Sequence, residues 1–396
     1  MPSSSSLLSA HQRLLDELGR ELASLRDEGL FRELTELEAV DGSRVRIGER
    51  QLLSWCSNDY LGLAAHPRLA EAAARAATEW GIGARASRLL AGTSRWHTRL
   101  EEALAAWFGA EAAVVFSSGY LANQGVLGSL LSPRDTVVLD RLAHASLFDA
   151  ARATRAAVRV FRHNDVAHAA ELLARASAAR RRILVTEGLF SMDGDTAPLA
   201  ELLDAAERHD ALLYLDDAHG AFVSGPTGRG SPEAAEVPHE RFLYMGALGK
   251  ALGCQGGFFT GPATLIDLLR NRARPFIYST APAIPVAAAA VRALEVLAEE
   301  PWRRDVLRER VGRLHSRLTG LPGLEATSAS HIMPVILGET ARAVAVARRL
   351  WERGCWVPAI RPPTVPEGAA RLRLSVTALH READIDALAA ALAGAM

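Results

Sequence analysis

The chain reads as an α/β protein, a mostly parallel sheet covered on both faces by helices and followed by a smaller α+β domain. Three observations lead there. From about residue 98, short apolar runs alternate with segments of helix length. Polar residues gather at the carboxyl ends of those runs. From about residue 283 the alternation gives way to long helices and a few separated strands.

Residues 1–50 are expected to form an N-terminal helix and arm. Leu7, Leu8, Leu14, Leu15, Leu18, Leu22 and Leu25 make one helical stripe behind a serine-rich start that can cap it. The stretch has no apolar core of a secretory signal. Residues 51–282 are expected to be the large domain. Its strands are predicted at 112–116 (AAVVF), 136–140 (TVVLD), 158–161 (VRVF), 182–188 (RILVTEG), 212–220 (LLYLDDAHG), 242–250 (FLYMGALGK) and 256–261 (GGFFTG). Strands spaced by helices argue for parallel pairing, because parallel neighbours need a long crossover. A ligand then lies outside the carboxyl ends of the strands. Those ends carry Ser117 and Ser118, Thr186 and Glu187, Asp216 and Asp217, and Lys250. Residues 283–396 form the small domain: helices at 283–299 and 302–319, a strand at 332–337, a helix at 340–353, strands at 355–360 and 371–376, and a last helix at 381–394.

Composition narrows the function classes. Among 396 residues, 49% are hydrophobic and 23% charged, and the net charge of −1 offers no electrostatic reason for a nucleic acid or an anionic membrane as partner. The apolar run 281–300 is broken by Pro282, Pro285 and Arg292 and reads as a core-packing helix. Cys56, Cys254 and Cys355 have no metal-ligand or C-x-x-C spacing and read as buried thiols in a reducing, cytoplasmic setting. No metal site is expected.

Lys250 is the only lysine; the other 44 of the 45 Lys+Arg residues are arginine. It follows a predicted strand in the glycine-rich GALGKALGCQGG (246–257). Arginine stays protonated in proteins, whereas an ε-amine can be neutral and nucleophilic, so imine formation with a carbonyl compound fits this position. A nucleotide phosphate loop does not, because its spacing needs Gly at 244 and Ser or Thr at 251, where the chain has Tyr244 and Ala251. If the carbonyl is that of pyridoxal phosphate, further parts are required. An acid must keep the pyridine nitrogen protonated, and Asp216 stands at a strand end with His219 three residues on. Phosphate needs backbone N–H groups where a strand turns into a helix, and VFSSGYLANQ (115–124) has that composition. A substrate carboxylate needs an arginine fork.

The chain resembles the pyridoxal-phosphate α-oxoamine synthases of the aspartate-aminotransferase fold (fold type I). The motifs that carry the resemblance are SNDYLGL (57–63), SSGYLANQGVL (117–127), HASLFDA (144–150), HNDV (163–166), TEGLFSMDGDTAPL (186–199), LDDAHGAFVSGPTGRG (215–230), GALGKALGCQGG and YSTAP (278–282). The tail 354–380 is similar to that of the member which joins L-alanine to a pimeloyl thioester, on coenzyme A or an acyl carrier protein, in biotin biosynthesis. The resemblance implies that Lys250 holds the cofactor and moves the Cα proton, while Asp216 pairs with the pyridine nitrogen. It puts His219 on the phenolic oxygen with Ser191 nearby, and His144 on the ring face. Ser118, Gly119 and Tyr120 would bind phosphate, with Ser279 and Thr280 reaching it from the second subunit of a homodimer. Arg373 would grip the amino-acid carboxylate, helped by Asn58, and Arg32 would face the acyl substrate. A sibling synthase using glycine or serine, a silent partner subunit and an aminotransferase are the competing readings. Two departures stand out: Ala247 replaces a usual Thr or Ser three residues before the lysine, and 81–93 (GIGARASRLLAGT) is less glycine-rich. Arg85 and Arg88 there would line the acyl-donor entrance or sit as surface charges on a helix.

Overall fold

A computed structural model describes residues 4–321 and 328–396. The first helix, Ser4–Asp27, leaves Leu14, Leu15, Leu18, Leu22 and Leu25 of its stripe exposed. Its expected serine cap begins outside the described residues, as do the side chains of Leu7 and Leu8.

In chain order the strands are β1 (Glu38–Asp41), β2 (Arg44–Ile47), β3 (Arg50–Ser54), β4 (Ala112–Phe116), β5 (Thr136–Asp140), β6 (Ala157–Phe161), β7 (Arg182–Glu187), β8 (Leu212–Asp216), β9 (Phe242–Ala247) and β10 (Gly257–Gly261). The C-terminal region adds β11 (Ile332–Gly338), β12 (Cys355–Trp356), β13 (Ala359–Ile360) and β14 (Ala370–Ser375). The large sheet has the order β4-β10-β9-β8-β7-β5-β6, with β10 antiparallel to both neighbours and the other pairings parallel.

This sheet is apolar on both faces. Ala113 and Val115, Val138, Leu184, and Leu213 and Leu215 pack into one core. Val114 and Phe116, Val137 and Leu139, Ile183 and Val185, and Tyr214 pack into the other. Alternate residues of each strand feed opposite cores, which is why the runs are continuously hydrophobic rather than alternating. Gly257 permits one close approach: a Cβ there would lie 2.6 Å from the backbone of Gly119, so only glycine lets β10 pass beneath the start of the helix Gly119–Leu130.

The small sheet β11-β14-β13 is antiparallel. The single strand expected at 355–360 is two, in different sheets. Pro358 lacks an N–H for the ladder, and the chain changes sheet there. β12 joins β3 in parallel, tying the arm sheet to the C-terminal region, and the boundary expected between residues 50 and 51 falls inside β3. Helix Ile284–Glu299 packs against helices Pro67–Trp80 and Arg95–Phe108 and so fastens the two regions together.

Segment 81–93 is not helical. Arg85 sits at φ +69° and is exposed, donating to the Trp80 carbonyl at 3.1 Å. Arg88 is buried and grips Glu101 with two hydrogen bonds of 2.8 and 3.1 Å. Glu101 in turn accepts from the Val115 N–H at 3.1 Å. Arg88 is therefore neither a surface charge on a helix nor a free cation at an entrance. It is spent on a buried carboxylate that holds β4.

Candidate active site

The carboxyl ends of the parallel strands converge on a cavity of about 270 Å³. Ser117–Tyr120 reach it from β4, His144 from β5, Glu187 from β7, Asp216 and His219 from β8, and Lys250 from β9. Asn58 closes one side. Residues scattered over some 190 positions meet here because parallel strands deliver their ends to one edge.

Helix Gly119–Leu130 opens at the cavity. Ser118 caps it, its hydroxyl accepting from the Leu121 N–H at 3.2 Å. The N–H groups of Gly119 and Tyr120 precede the first intrahelical acceptor and lie at the positive end of the helix dipole. Ala247 lies beside them: a Cβ on Gly119 would come 4.0 Å from that of Ala247. The tyrosine hydroxyl of Tyr120 turns away to Asp149 at 2.8 Å, leaving its backbone as the part that serves the cavity.

Asp216 is held by donors. Asn123 Nδ2 reaches one oxygen at 2.7 Å and the Ala218 N–H reaches the other at 3.0 Å. Asn123 is itself fixed, accepting from Tyr214 Oη at 2.7 Å and donating to Ser146 Oγ at 2.8 Å. Donors on both oxygens fix the orientation of the carboxylate. Burial lowers the proton affinity of Lys250, although the charge of Asp216 opposes that shift, as would that of an ionised Glu187. Its amine is thus more easily freed of its proton than an exposed lysine's.

His219 is buried and contacts Tyr60 Oη through Nδ1 at 2.7 Å. Burial, together with the positive charge of Lys250 and Arg373, drives its pKa well below the ordinary range, so the ring is neutral. The Tyr60 hydroxyl has one proton and two acceptors in reach, His219 Nδ1 at 2.7 Å and Asn58 Oδ1 at 3.0 Å; the tautomer whose Nδ1 accepts keeps Nε2–H to donate. His144 stands exposed at the mouth of the cavity, its Nδ1 accepting from the Ser146 N–H at 3.2 Å as the cap of helix Ala145–Ala153. Arg373 is buried on β14 behind Asn58. Its fork reaches Asn58 Oδ1 and Tyr60 Oη, each at 3.3 Å, and Ser375 Oγ at 2.8 Å, while Nε donates to the Ser191 carbonyl. Ser191 therefore meets the site through its backbone, at the Arg373 side.

Three expected residues lie elsewhere in this chain. Arg32 donates to Thr364 Oγ1 at 3.0 Å, on the proline-rich loop. Thr280 is exposed and bridges Ser87, and Ser279 precedes it; neither lines the cavity of its own chain. The cysteines are less buried than expected: Cys56 and Cys254 are partly exposed, and only Cys355 is buried. Burial still lifts the thiol pKa values, to about 11 for Cys56 and Cys355 and about 12 for Cys254.

Sequence reasoning places Glu187 at a strand end without a role and does not single out Asn123 or Tyr60. Asn123 and Tyr60 lie inside quoted motifs, and a buried amide or phenol demands a partner. Which strand end supplies it is a matter of topology.

The donor set fits a pyridoxal phosphate. One cavity presents a freeable amine, a hydrogen-bonded carboxylate on the neighbouring strand end, a neutral imidazole donor and a helix N-terminus for a phosphate. Among the described residues no helix is long and apolar enough to cross a membrane.

Comparison with known proteins agrees. The family model for aminotransferase class I and II matches residues 50–392. The chain is 50% identical over 382 residues to the 8-amino-7-oxononanoate synthase of Anaeromyxobacter dehalogenans, covering 96% of each, and 46% identical to that of an Azoarcus species, covering 96% of this chain and 97% of the other. Among solved structures, a serine palmitoyltransferase from S. paucimobilis with PLP and myriocin bound superposes with a TM-score of 0.91 at 29% identity over 97% of both chains. An 8-amino-7-oxononanoate synthase from Francisella tularensis, at 24% identity, shares the fold with a TM-score of 0.75 over 87% of this chain and 97% of that one.

Proposed function

Because the chain belongs to the aminotransferase class I and II family, and relatives at 45–50% identity over 96% of its length are 8-amino-7-oxononanoate synthases, we infer that it condenses L-alanine with a pimeloyl thioester. The products are 8-amino-7-oxononanoate, carbon dioxide and the free thiol, a step of biotin biosynthesis. Its cofactor is pyridoxal phosphate. The observation that carries the reading is the meeting of Lys250, Asp216 and the helix start at Gly119 in one cavity.

When bound, the cofactor supplies an electron sink for charge developing at the alanine Cα. The chain's own residues do the rest. Lys250, its proton affinity lowered by burial, is placed to hold the cofactor and to take and return the Cα proton. Asp216, oriented by Asn123 and Ala218, keeps a negative charge where the ring nitrogen needs a proton. His219 donates from Nε2, and His144 stands over the opening. Gly119 and Tyr120 offer backbone N–H groups to phosphate. Arg373, pre-aimed by Ser375 and the Ser191 carbonyl, presents its fork beside Asn58 to the alanine carboxylate. Once deprotonated, Cα attacks the thioester carbonyl and the thiol leaves. The alanine carboxylate then departs as carbon dioxide, which makes the condensation irreversible.

The site is completed by a second copy of the chain. Ile82, Leu89, Leu90 and Tyr278 form an exposed apolar surface beside Ser279 and Thr280, with fractional exposures of 53–80%. An apolar surface of this kind on a catalytic chain marks an interface, and a homodimer that covers it would bring Ser279 and Thr280 to the partner's phosphate site. Arg32, on the arm, would then face the acyl substrate. The acyl donor is a thioester of coenzyme A or of an acyl carrier protein, and the enzyme works in the cytoplasm.

Product mass from alanine, glycine or serine against pimeloyl, acetyl or palmitoyl thioesters tests the assignment. Alanine with the pimeloyl thioester is expected to give the amino-oxononanoate. Preference for serine and palmitoyl, the pair of the structural neighbour, would replace the substrate assignment while leaving Lys250 in its role. Pyruvate from alanine alone would point to transamination instead.

A further inference from the structure

Glu187 ends β7 directly beside Asp216 at the end of β8, and the two are register partners on parallel strands. Both are buried, at 3% and 5% exposure, and both line the cavity. Their surroundings differ. Asp216 has a donor on each oxygen, whereas Oε1 of Glu187 has no hydrogen-bond partner. The backbone N–H groups of His144 and Ser191 turn toward the Glu187 carboxyl, so one side chain faces both segments that wall the cavity. The cation facing the two carboxylates is the single amine of Lys250. Two buried anions on neighbouring strand ends against one amine is an unfavourable charge set, and the less solvated carboxyl keeps its proton. Burial and the charge of Asp216 raise the proton affinity of Glu187 far above the carboxylate range, outweighing both the attraction of Lys250 and the donation from the His144 and Ser191 N–H groups.

We propose that Glu187 retains its proton in the working enzyme and is a positioning residue: a neutral strut between the segments that carry His144 and Ser191, which leaves Asp216 as the single anion on the cavity floor. An ionised Glu187 would compete with Asp216 for the proton of the ring nitrogen and hold the proton of Lys250 when that amine must be free. The consequence for the ring rests on the pyridoxal-phosphate reading of the cavity; the protonation state does not.

The test compares wild type with Glu187→Gln and Glu187→Ala, each as the purified holoenzyme. The wild-type minus Glu187→Gln infrared difference spectrum at neutral pH should show a protonated carboxyl stretch. The unfolded chain ionises Glu187 at ordinary carboxylate pH and the folded chain does not, so the folded state binds the extra proton and loses stability as pH rises. Glu187→Gln should therefore gain Tm over wild type progressively from pH 5 to pH 8. The absorbance titration of the bound cofactor should keep its midpoint in Glu187→Gln. Glu187→Ala removes the strut and should weaken cofactor binding about tenfold. A carboxylate band in place of the carboxyl stretch, or a midpoint lowered by about one pH unit in Glu187→Gln, overturns the neutral state. Glu187→Ala binding cofactor as tightly as Glu187→Gln overturns the strut. If the amide variant does not accumulate, Glu187→Met of similar volume carries the infrared and Tm comparisons. Failure of the pyridoxal-phosphate reading would show as absent cofactor absorbance, with the infrared band and Tm trend unaffected.

Discussion

The strand-end wall of the cavity and the surface made by 81–93 with 278–282 are built on opposite plans. Around this wall the polar groups are braced from behind in a chain: Asp216 by Asn123, Asn123 by Tyr214, His219 by Tyr60, Arg373 by Ser375 and the Ser191 carbonyl. At the second surface the braced residue, Arg88, is inward and structural, while Ile82, Leu89, Leu90 and Tyr278 point to solvent. The first region is preorganised within one chain. The second is the surface we propose to be finished by another copy. A catalytic group held by buried hydrogen bonds costs no reorganisation at the moment of reaction, whereas one supplied across an interface depends on assembly.

The largest effect should come from the strand-end side. Lys250→Ala removes the one amine, and turnover is expected to fall by at least about 10³-fold while circular dichroism and Tm hold. Full turnover in that variant would break the comparison outright. Next comes Arg88→Ala, which leaves Glu101 with only the longer, partly exposed Arg270 contact at 3.3 Å as a cationic partner; a loss of about 1–3 kcal/mol in denaturant unfolding is expected, although the residue touches no cavity atom. A change within a few tenths of a kcal/mol would show that the second region contributes nothing to the fold.

Arg373→Lys keeps the charge but loses the planar fork, so KM for alanine should rise about 10–100-fold with a smaller change in kcat. Equal losses in kcat and kcat/KM would move Arg373 from ground-state binding to the transition state. Thr280→Ala should weaken cofactor binding by up to about tenfold. Mixing inactive Lys250→Ala subunits with a Ser279→Ala, Thr280→Ala double variant should restore activity above the average of the two, because hybrid dimers contain one intact site. No gain on mixing would confine each site to its own chain.

The smallest effect is a pH trend. His163 sits between Asp140 at 2.9 Å and Asp195 at 2.7 Å, tying β5 to the 188–197 loop. Burial works against its proton, but the two carboxylates more than offset that and raise its pKa to about 10 from 6.5. The folded chain holds this proton more tightly than the unfolded one. Its stabilisation is complete below pH 6.5 and is lost as pH climbs toward about 10. Tm of the wild type should thus fall more steeply over that range than Tm of His163→Gln. Parallel curves would mean the ring is neutral in the folded chain.

Much of this protein was determined locally. The seven strands of the large sheet follow from apolar runs bounded by turn residues, and the position of Lys250 after β9 follows from chemistry arginine cannot do. Asp216 with His219, and the serine-glycine turn at 117–120, follow from the same reasoning about strand ends. Local pattern works at these places because parallel strands buried on both faces need uninterrupted hydrophobic runs, and the ligand edge comes with the topology. Tertiary structure decided the rest. Arg88 reads as a surface charge until Glu101, 13 residues on, is seen to turn inward to meet it. The strand expected at 355–360 divides because its halves have different partners, β3 from the arm and β14 from the small sheet. Glu187 is an ordinary acidic residue in a motif until β7 and β8 set its carboxyl beside Asp216. Hydrophobic period and turn chemistry are properties of neighbouring residues and can be read along the chain. Burial, ion pairing and proton affinity depend on groups far apart in sequence, and only the folded chain brings those together.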